Sequence, residues 1–330
     1  MNLRRSLERY SINISYSLNP RKPRLMLRLL LNMFQIVVLR KRLLRHIDLN
    51  VEVGCNLRCK HCFASYFRKN MPLLDIEDYS RIAAECNKLG SVVFQFTGGE
   101  PLLNRDIDKM IKAVKPESNL ITIATNGTLV TEERIKELKE IGVDVLVFSL
   151  DSGIPEEHDS FRGVQGTYDK VIRAVDVCLK NKMKVSLGCT LTHQSLRTEG
   201  VRKVLDYALK KKLYICLGIV APAGRAISEK DFLFTKEDSE YLDKEILPNY
   251  PNSRRDWETN YWTVGCGAAT EKLYITPYGE VLCCPYIHIS FGNVKKESLK
   301  IIRERMLRVH EVKTYPKICL AAEDKKFIEE

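Results

Sequence analysis

The chain has 330 residues, enough to bury the core of one large α/β domain and to carry a smaller appendage. Its 53 Lys and Arg outnumber 42 Asp and Glu, a basic balance suited to acidic partners such as phosphorylated substrates, anionic lipid or an acidic electron donor. No helix-turn-helix, RNA-binding or zinc-finger signature accompanies that charge, so no nucleic-acid partner is expected. Eleven cysteines would staple a small secreted protein, but these are clustered and follow no cleavable signal peptide, so a reducing cytoplasm is the expected compartment.

Residues 1–45 read as a basic and apolar helical segment. Leu25–Leu39 is almost continuously apolar, interrupted at helical spacing by Arg28, Asn32 and Gln35. Arg21, Lys22 and Arg24 precede it, and Arg40, Lys41 and Arg42 follow. The stretch is too short and too interrupted to span a bilayer. The leading expectation is a helix packed against the body of the protein. The alternative is peripheral membrane contact through residues 25–39, or a guard over a lipid-like substrate channel.

Residues 46–225 alternate short apolar runs with helix-period segments, the pattern of a parallel α/β fold. The strands drawn are Ile47–Val53, Ser91–Phe96, Leu120–Thr125, Asp144–Leu150, Lys184–Thr190 and Leu213–Ile219. Helices are expected at Asp75–Leu89, Arg105–Val114, Thr131–Ile141, Thr167–Lys182 and Arg197–Lys210. Thr131, followed by Glu132 and Glu133, supplies a hydroxyl cap and an acidic first turn. Six such units form a partial (β/α)6 TIM-like barrel.

The first strand runs directly into Cys55-Asn-Leu-Arg-Cys59-Lys-His-Cys62, a C-x3-C-x2-C loop with no fourth cysteine nearby. Three thiolates can hold a cubane [4Fe–4S] cluster and leave its fourth iron open, whereas electron-transfer clusters take four cysteines. The competing reading is zinc with His61 as fourth ligand, which a loop this short cannot easily aim at one tetrahedron. The second strand ends in Thr97-Gly98-Gly99-Glu100-Pro101. Two glycines let backbone approach a ligand closely, and the Glu100 carboxylate suits an ammonium group.

These residues resemble the radical S-adenosylmethionine (radical SAM) superfamily, whose hallmark is the C-x3-C-x2-C loop after the first barrel strand. The resemblance extends through Thr125-Asn126-Gly127 after the third strand, Ser149-Leu-Asp151 after the fourth, and His158-Asp159 with Phe161-Arg162-Gly163 beyond it. It implies that Cys55, Cys59 and Cys62 bind the catalytic [4Fe–4S] cluster. It also implies that Thr97, Gly98, Gly99 and Glu100 hold the methionyl amino group of S-adenosylmethionine, with Asn126 nearby. Ser149, Asp151 and Arg162 are expected at its ribose and carboxylate, although Asp151 could be purely structural in its loop. All these positions fall at strand C-termini, where βα-barrels build their sites.

Residues 226–330 read as a linker and a small extension that resembles a SPASM or twitch domain carrying an auxiliary iron–sulfur cluster. Lys272–Thr276, a turn at Pro277-Tyr-Gly279 and Glu280–Cys283 predict a hairpin, and Ser298–Val309 a helix. Cys266, Gly279, Cys284 and Gly292-Asn293-Val294 follow the family's opening half, but downstream only Cys319 remains and Ala322 stands where another cysteine would fit. One auxiliary cluster on Cys266, Cys284 and Cys319 is expected, with Cys283, another residue or an open iron completing it. Adjacent Cys283 and Cys284 would point to opposite faces of a strand. Unrelated thiols or a zinc site are the alternative. Of the other cysteines, Cys86, Cys178 and Cys216 read as packing residues; Cys189 does too, with a second reading as a hydrogen donor to a substrate radical.

The resemblance implies reductive cleavage of S-adenosylmethionine to a 5′-deoxyadenosyl radical that takes hydrogen from an unactivated carbon. A low-potential flavodoxin- or ferredoxin-like donor would supply the electron, and the auxiliary cluster would accept one during oxidation or maturation. A small molecule such as a sugar, cyclitol or cofactor precursor is preferred over a peptide, since no leader-peptide-binding domain is evident; a lipid is the third option. A non-enzymatic iron–sulfur protein for electron transfer or regulation is the alternative of another class, and Gly98-Gly99-Glu100 argues against it.

Overall fold

A computed structural model describes residues 15–67, 69–256 and 265–329. One sheet of nine strands organises it, in the order β7-β6-β5-β4-β3-β2-β1-β8-β9. Strands β1 (His46–Glu52), β2 (Val93–Gly98), β3 (Leu120–Thr125), β4 (Val145–Ser149), β5 (Lys184–Leu191) and β6 (Tyr214–Ile219) are laid down in sequence, each parallel to the last. Their bounds lie within two residues of the predicted ones at every end. The sheet does not close, so the architecture is the expected partial barrel.

Parallel strands need crossovers, and helices supply them. They are α2 (Ile76–Lys88), α3 (Ile107–Ala113), α4 (Glu132–Glu140), α6 (Thr167–Lys180) and α7 (Glu199–Lys210). Asp75, Thr131 and Thr198 cap three of them by accepting from backbone N–H groups three residues on. The sequence reading did not find α5 (Pro155–Arg162), which Pro155 starts and Gly163 ends in the left-handed region.

Two faces of the sheet differ. Ile47, Leu49, Phe94, Phe96, Ile121, Ile123, Leu146, Phe148, Leu187, Leu191, Ile215 and Leu217 face the helices and form the core. The alternate residues point into the barrel and include the polar Asp48, Asn50, Gln95, Thr122 and Ser149. Asp48 lies there between Lys272, His46 and Gln95, at 3.0, 2.8 and 3.1 Å.

The C-terminal segment extends this same sheet rather than standing apart. β7 (Ser253–Arg255) pairs parallel with β6, and β8 (Lys272–Ile275) pairs parallel with β1. β9 (Val281–Leu282) returns antiparallel on β8, as the predicted hairpin requires. Residue 225 is therefore no boundary of the sheet: β7 and β8 cover the edges that β6 and β1 would otherwise expose. Beyond them α8 (Leu299–Met306) packs against α2.

The N-terminal helix α1 (Pro23–Val37) packs on the barrel as expected, through Leu25, buried against Val92 and Leu120, and through its polar stripe. Arg28 donates to the Ser118 carbonyl at 2.8 Å and Asn32 to the Gly90 carbonyl at 2.7 Å. Lys22 pairs with Asp144, just before β4. The helix thus crosses the starts of β2–β4, at the end of the barrel opposite the cysteine loop.

Candidate active site

The Cys55–Cys62 loop leaves the C-terminal end of β1 and is held by main-chain contacts from other loops. Arg58 and Lys60 donate their N–H groups to the carbonyls of Arg162 and Phe161, both at 3.1 Å. Arg225, just after β6, donates its Nε to the Cys59 carbonyl at 2.8 Å and its N–H to the Cys62 carbonyl at 3.1 Å. Sequence reasoning passed over Arg225, although a Gly-Arg pair after a strand C-terminus was the available signal. Two glycines permit the close approach. A Cβ on Gly99 would stand 2.0 Å from the Gly54 carbonyl oxygen, and one on Gly163 would meet the Arg58 carbonyl at 2.7 Å.

The thiols of this loop are surrounded by donors. Cys55 Sγ accepts from the Leu57 N–H at 3.4 Å and from Asn126 Nδ2 at 4.0 Å, and Cys59 Sγ accepts from Arg162 Nη1 at 3.8 Å. Burial raises the Cys55 thiol pKa, and the nearby Cys59, Glu100 and Cys62 add to the rise. Burial likewise raises Cys59, with Arg162 opposing. Such mutually repelling sulfurs ionise readily only beside a cationic centre, which bound iron provides. His61, the ligand a zinc site would need, stacks its ring on Phe161 at 4.3 Å.

Glu100 has partners other than the ammonium group that its chemistry suggested. The side chain is fully buried. Oε1 accepts from Thr125 Oγ1 at 2.8 Å and the Leu102 N–H at 3.1 Å, and Oε2 accepts from the Asn126 N–H at 2.7 Å. Burial raises its pKa and these donors oppose the rise. The carboxylate therefore ties the Gly-Gly turn after β2 to the Thr125-Asn126-Gly127 turn after β3. Asn126 passes the connection on, donating to Asn56 Oδ1 at 2.8 Å within the cysteine loop.

A second buried network lies beyond β4. Arg162 grips Asp151 with two hydrogen bonds, Nε to Oδ2 at 2.6 Å and Nη2 to Oδ1 at 2.9 Å, while its remaining arm reaches Cys59. Asp151 also accepts from the Thr190 N–H at 2.9 Å. Burial would raise the Asp151 carboxyl, but Arg162 and the two histidines, His61 and His158, hold it below the usual range. Asp151 thus anchors Arg162 under the cysteine loop. Ser149 pairs with Gly188, Gly188 with Cys216 and Cys216 with Arg254, one row across β4–β7 on the barrel interior.

That row moves the cavity-facing thiol. Cys189 shares the helix-side face with Leu187 and Leu191, is buried in the core, and donates to the Asp151 carbonyl at 3.7 Å. Cys189 thus faces the core between strand and helices rather than the barrel interior. Cys216, read as a packing residue, is the one on the interior face. Cys86 and Cys178 are core residues, as expected.

The C-terminal thiols gather beside β9. Burial raises the Cys284 thiol, and Cys319, Cys283 and Cys266 contribute in that order. Burial, Asp256 and Cys266 raise Cys319. The Cys266 N–H donates to the Pro316 carbonyl at 2.7 Å, tying the two chain segments together, and the Cys319 N–H donates locally to Glu323 Oε2 at 2.8 Å. Cys283 is buried just past β9, whereas Cys284 is partly exposed.

Comparison with known proteins fits this geometry. Residues 49–210 match the sequence model of the radical SAM superfamily, and residues 266–321 match that of a SPASM iron–sulfur cluster-binding domain. The chain carries a radical SAM domain followed by a SPASM domain. A [4Fe–4S] cluster, S-adenosylmethionine and an auxiliary iron–sulfur cluster are accordingly its cofactors, and the family needs a reductant. The Fe-coproporphyrin III synthase of Methanosarcina barkeri is 33% identical over 180 residues, covering 53% of this chain and 44% of that protein. This radical SAM chain thus spans less than half of that relative's length. The AdoMet-dependent heme synthase of the same organism is 25% identical over 295 residues, covering 79% and 82%. Streptococcus suis SuiB, solved with its precursor peptide SuiA, superposes with a TM-score of 0.63 at 18% identity, covering 83% of this chain and 69% of that one, a likeness of fold. Among the described residues no helix is long and apolar enough to cross a membrane.

Proposed function

We propose that the chain abstracts hydrogen from a carboxylate-bearing small molecule, in an oxidation of a cofactor precursor. Cys55, Cys59 and Cys62 would hold the catalytic cluster. A cluster bound there would supply the low-potential electron for reductive cleavage of S-adenosylmethionine. Thr97 and the Gly98–Gly99 backbone would receive the methionyl amino group, with Glu100 fixing that turn from behind. Asn126 and Ser149 line the approach to the ribose and carboxylate, and Arg162, held by Asp151, sets the charge beside Cys59. Cys266, Cys284 and Cys319 would carry the auxiliary cluster as an electron acceptor, with Cys283 turned into the core. Residues 46–225 bear the radical machinery, residues 226–330 the acceptor, and a flavodoxin- or ferredoxin-like protein of a reducing cytoplasm would feed the first.

The observation that carries the reading is the three-thiol loop clamped over a barrel interior that holds buried charges. Two cations lie in that interior, Arg254 stacked on Tyr214 at 4.9 Å and Lys272 paired with Asp48 at 3.0 Å, a charged lining that supports a carboxylate-bearing substrate. Relatives named for coproporphyrin and heme synthesis support the same class. The test is anaerobic reconstitution with iron and sulfide, then dithionite, S-adenosylmethionine and either a coproporphyrin or a peptide. Wild type is expected to form 5′-deoxyadenosine, faster with the tetrapyrrole. The Cys55/Cys59/Cys62→Ala variant should keep the auxiliary iron and form none. Faster turnover with the peptide would reassign the substrate; no 5′-deoxyadenosine from loaded wild type would remove the reading.

A further inference from the structure

Helix α1 meets the barrel through a mixed face, Leu25 packing on Val92 and Leu120 beside its polar residues, yet it leaves a second apolar strip outward, where an ordinary surface helix shows polar side chains. Lys22, Arg28 and Asn32 face the barrel and satisfy carbonyl and carboxylate oxygens at the strand starts. Diametrically opposite, Leu27, Leu30, Leu31, Phe34 and Val38 form one outward strip, with Leu30 65% and Phe34 54% exposed. Isolated exposed leucines need no explanation, but a continuous apolar strip marks a surface that something covers. Cations frame it: Arg21 and Arg24 are exposed at one end, Arg40 and Lys41 at the other. Between Glu8 and Asp48 the sequence has no acidic residue.

We propose that this strip docks on an anionic lipid bilayer, with α1 lying in the interface plane and the cysteine loop at the far end of the barrel. Fifteen residues are too few to cross a bilayer, but a helix of this kind suits the boundary between headgroups and acyl chains. Charge selects the lipid over a second copy of the chain. Two α1 helices laid face to face, parallel or antiparallel, bring cationic ends against cationic ends, whereas anionic headgroups neutralise both ends at once. The inward hydrogen bonds hold the helix in place beforehand, so docking spends little on ordering.

The test uses the full-length, iron-loaded protein and vesicles of phosphatidylcholine alone or mixed with phosphatidylglycerol, read by co-sedimentation. Wild type is expected to bind the mixed vesicles selectively and to be released by salt. Leu30→Gln with Phe34→Gln should weaken binding roughly tenfold. Replacing Arg21, Arg24, Arg40 and Lys41 by Gln should abolish the preference for phosphatidylglycerol. Both variants alter only exposed side chains, and unchanged iron content and 5′-deoxyadenosine formation would establish that they fold. Wild type that ignores both vesicles, or an L30Q/F34Q variant that binds as well as wild type, overturns the proposal. So does a wild-type dimer in sedimentation velocity that L30Q/F34Q disperses, since a second copy would then own the face.

Discussion

Gly99 shows how little freedom single residues have at this site. Its N–H donates to the Glu52 carbonyl at 2.6 Å, and a methyl group at its Cα would fall 2.0 Å from the Gly54 carbonyl. Both neighbours are main chain, so no rotamer change relieves the clash. Gly99→Ala should therefore displace the start of the cysteine loop. Iron bound at the catalytic site is expected to fall several-fold while the auxiliary iron stays, with Mössbauer or EPR signals separating the two. Equal loading of both sites would count against this account. At the same scale, strand alternation already carries information in the sequence: in β5 Cys189 keeps step with Leu187 and Leu191, and in β6 Cys216 keeps step with Tyr214 and Gly218. That parity assigns the two thiols to opposite faces. The partners of Glu100 were not legible, because Thr125 and Asn126 lie about 25 residues away and meet it only through the β2–β3 register.

Between elements, the β1–β8 pairing brings Asp48 beside Lys272, two residues more than two hundred positions apart. Burial alone would raise the Asp48 pKa, but Lys272 and His46 overcome it and pull the value from 3.8 down to about 2. A carboxyl depressed on folding stabilises the native state above its unfolded pKa, and this contribution is lost as pH falls through the folded value. Wild type should therefore lose stability between about pH 4 and pH 2. Asp48→Asn strands Lys272 and should lower stability by about 3 kcal/mol near neutral pH, with a flatter profile across the acid window. Denaturant titrations at several pH values would measure both. An unchanged profile in the variant would show that other carboxylates govern the acid limb.

Over the whole molecule, one sheet joins the radical machinery to the auxiliary thiols. Cys266 and Cys284 flank the β8–β9 hairpin, whose first strand shares β1 with the cysteine loop. The two cofactor regions are therefore fixed relative to each other by a hydrogen-bonded ladder rather than by a linker. A Cys266/Cys284/Cys319→Ala variant should still cleave S-adenosylmethionine but uncouple it, giving 5′-deoxyadenosine with little oxidised product. Full coupling in that variant would exclude an electron-accepting role for the extension.

The sequence by itself determined the six βα units, the three-cysteine loop, the Gly-Gly turn and the family, because strand periodicity and motif spacing are local properties. Tertiary structure alone decided three things. It set the Glu100 carboxylate against β3, joined the extension to the barrel through β8, and turned α1 with Arg28 and Asn32 inward. Periodicity states that a helix has two faces, but which one meets the protein depends on what it packs against. Here that surface is the rim of strand starts, where unpaired carbonyl oxygens take the Arg28 and Asn32 donors while Val92 and Leu120 take Leu25.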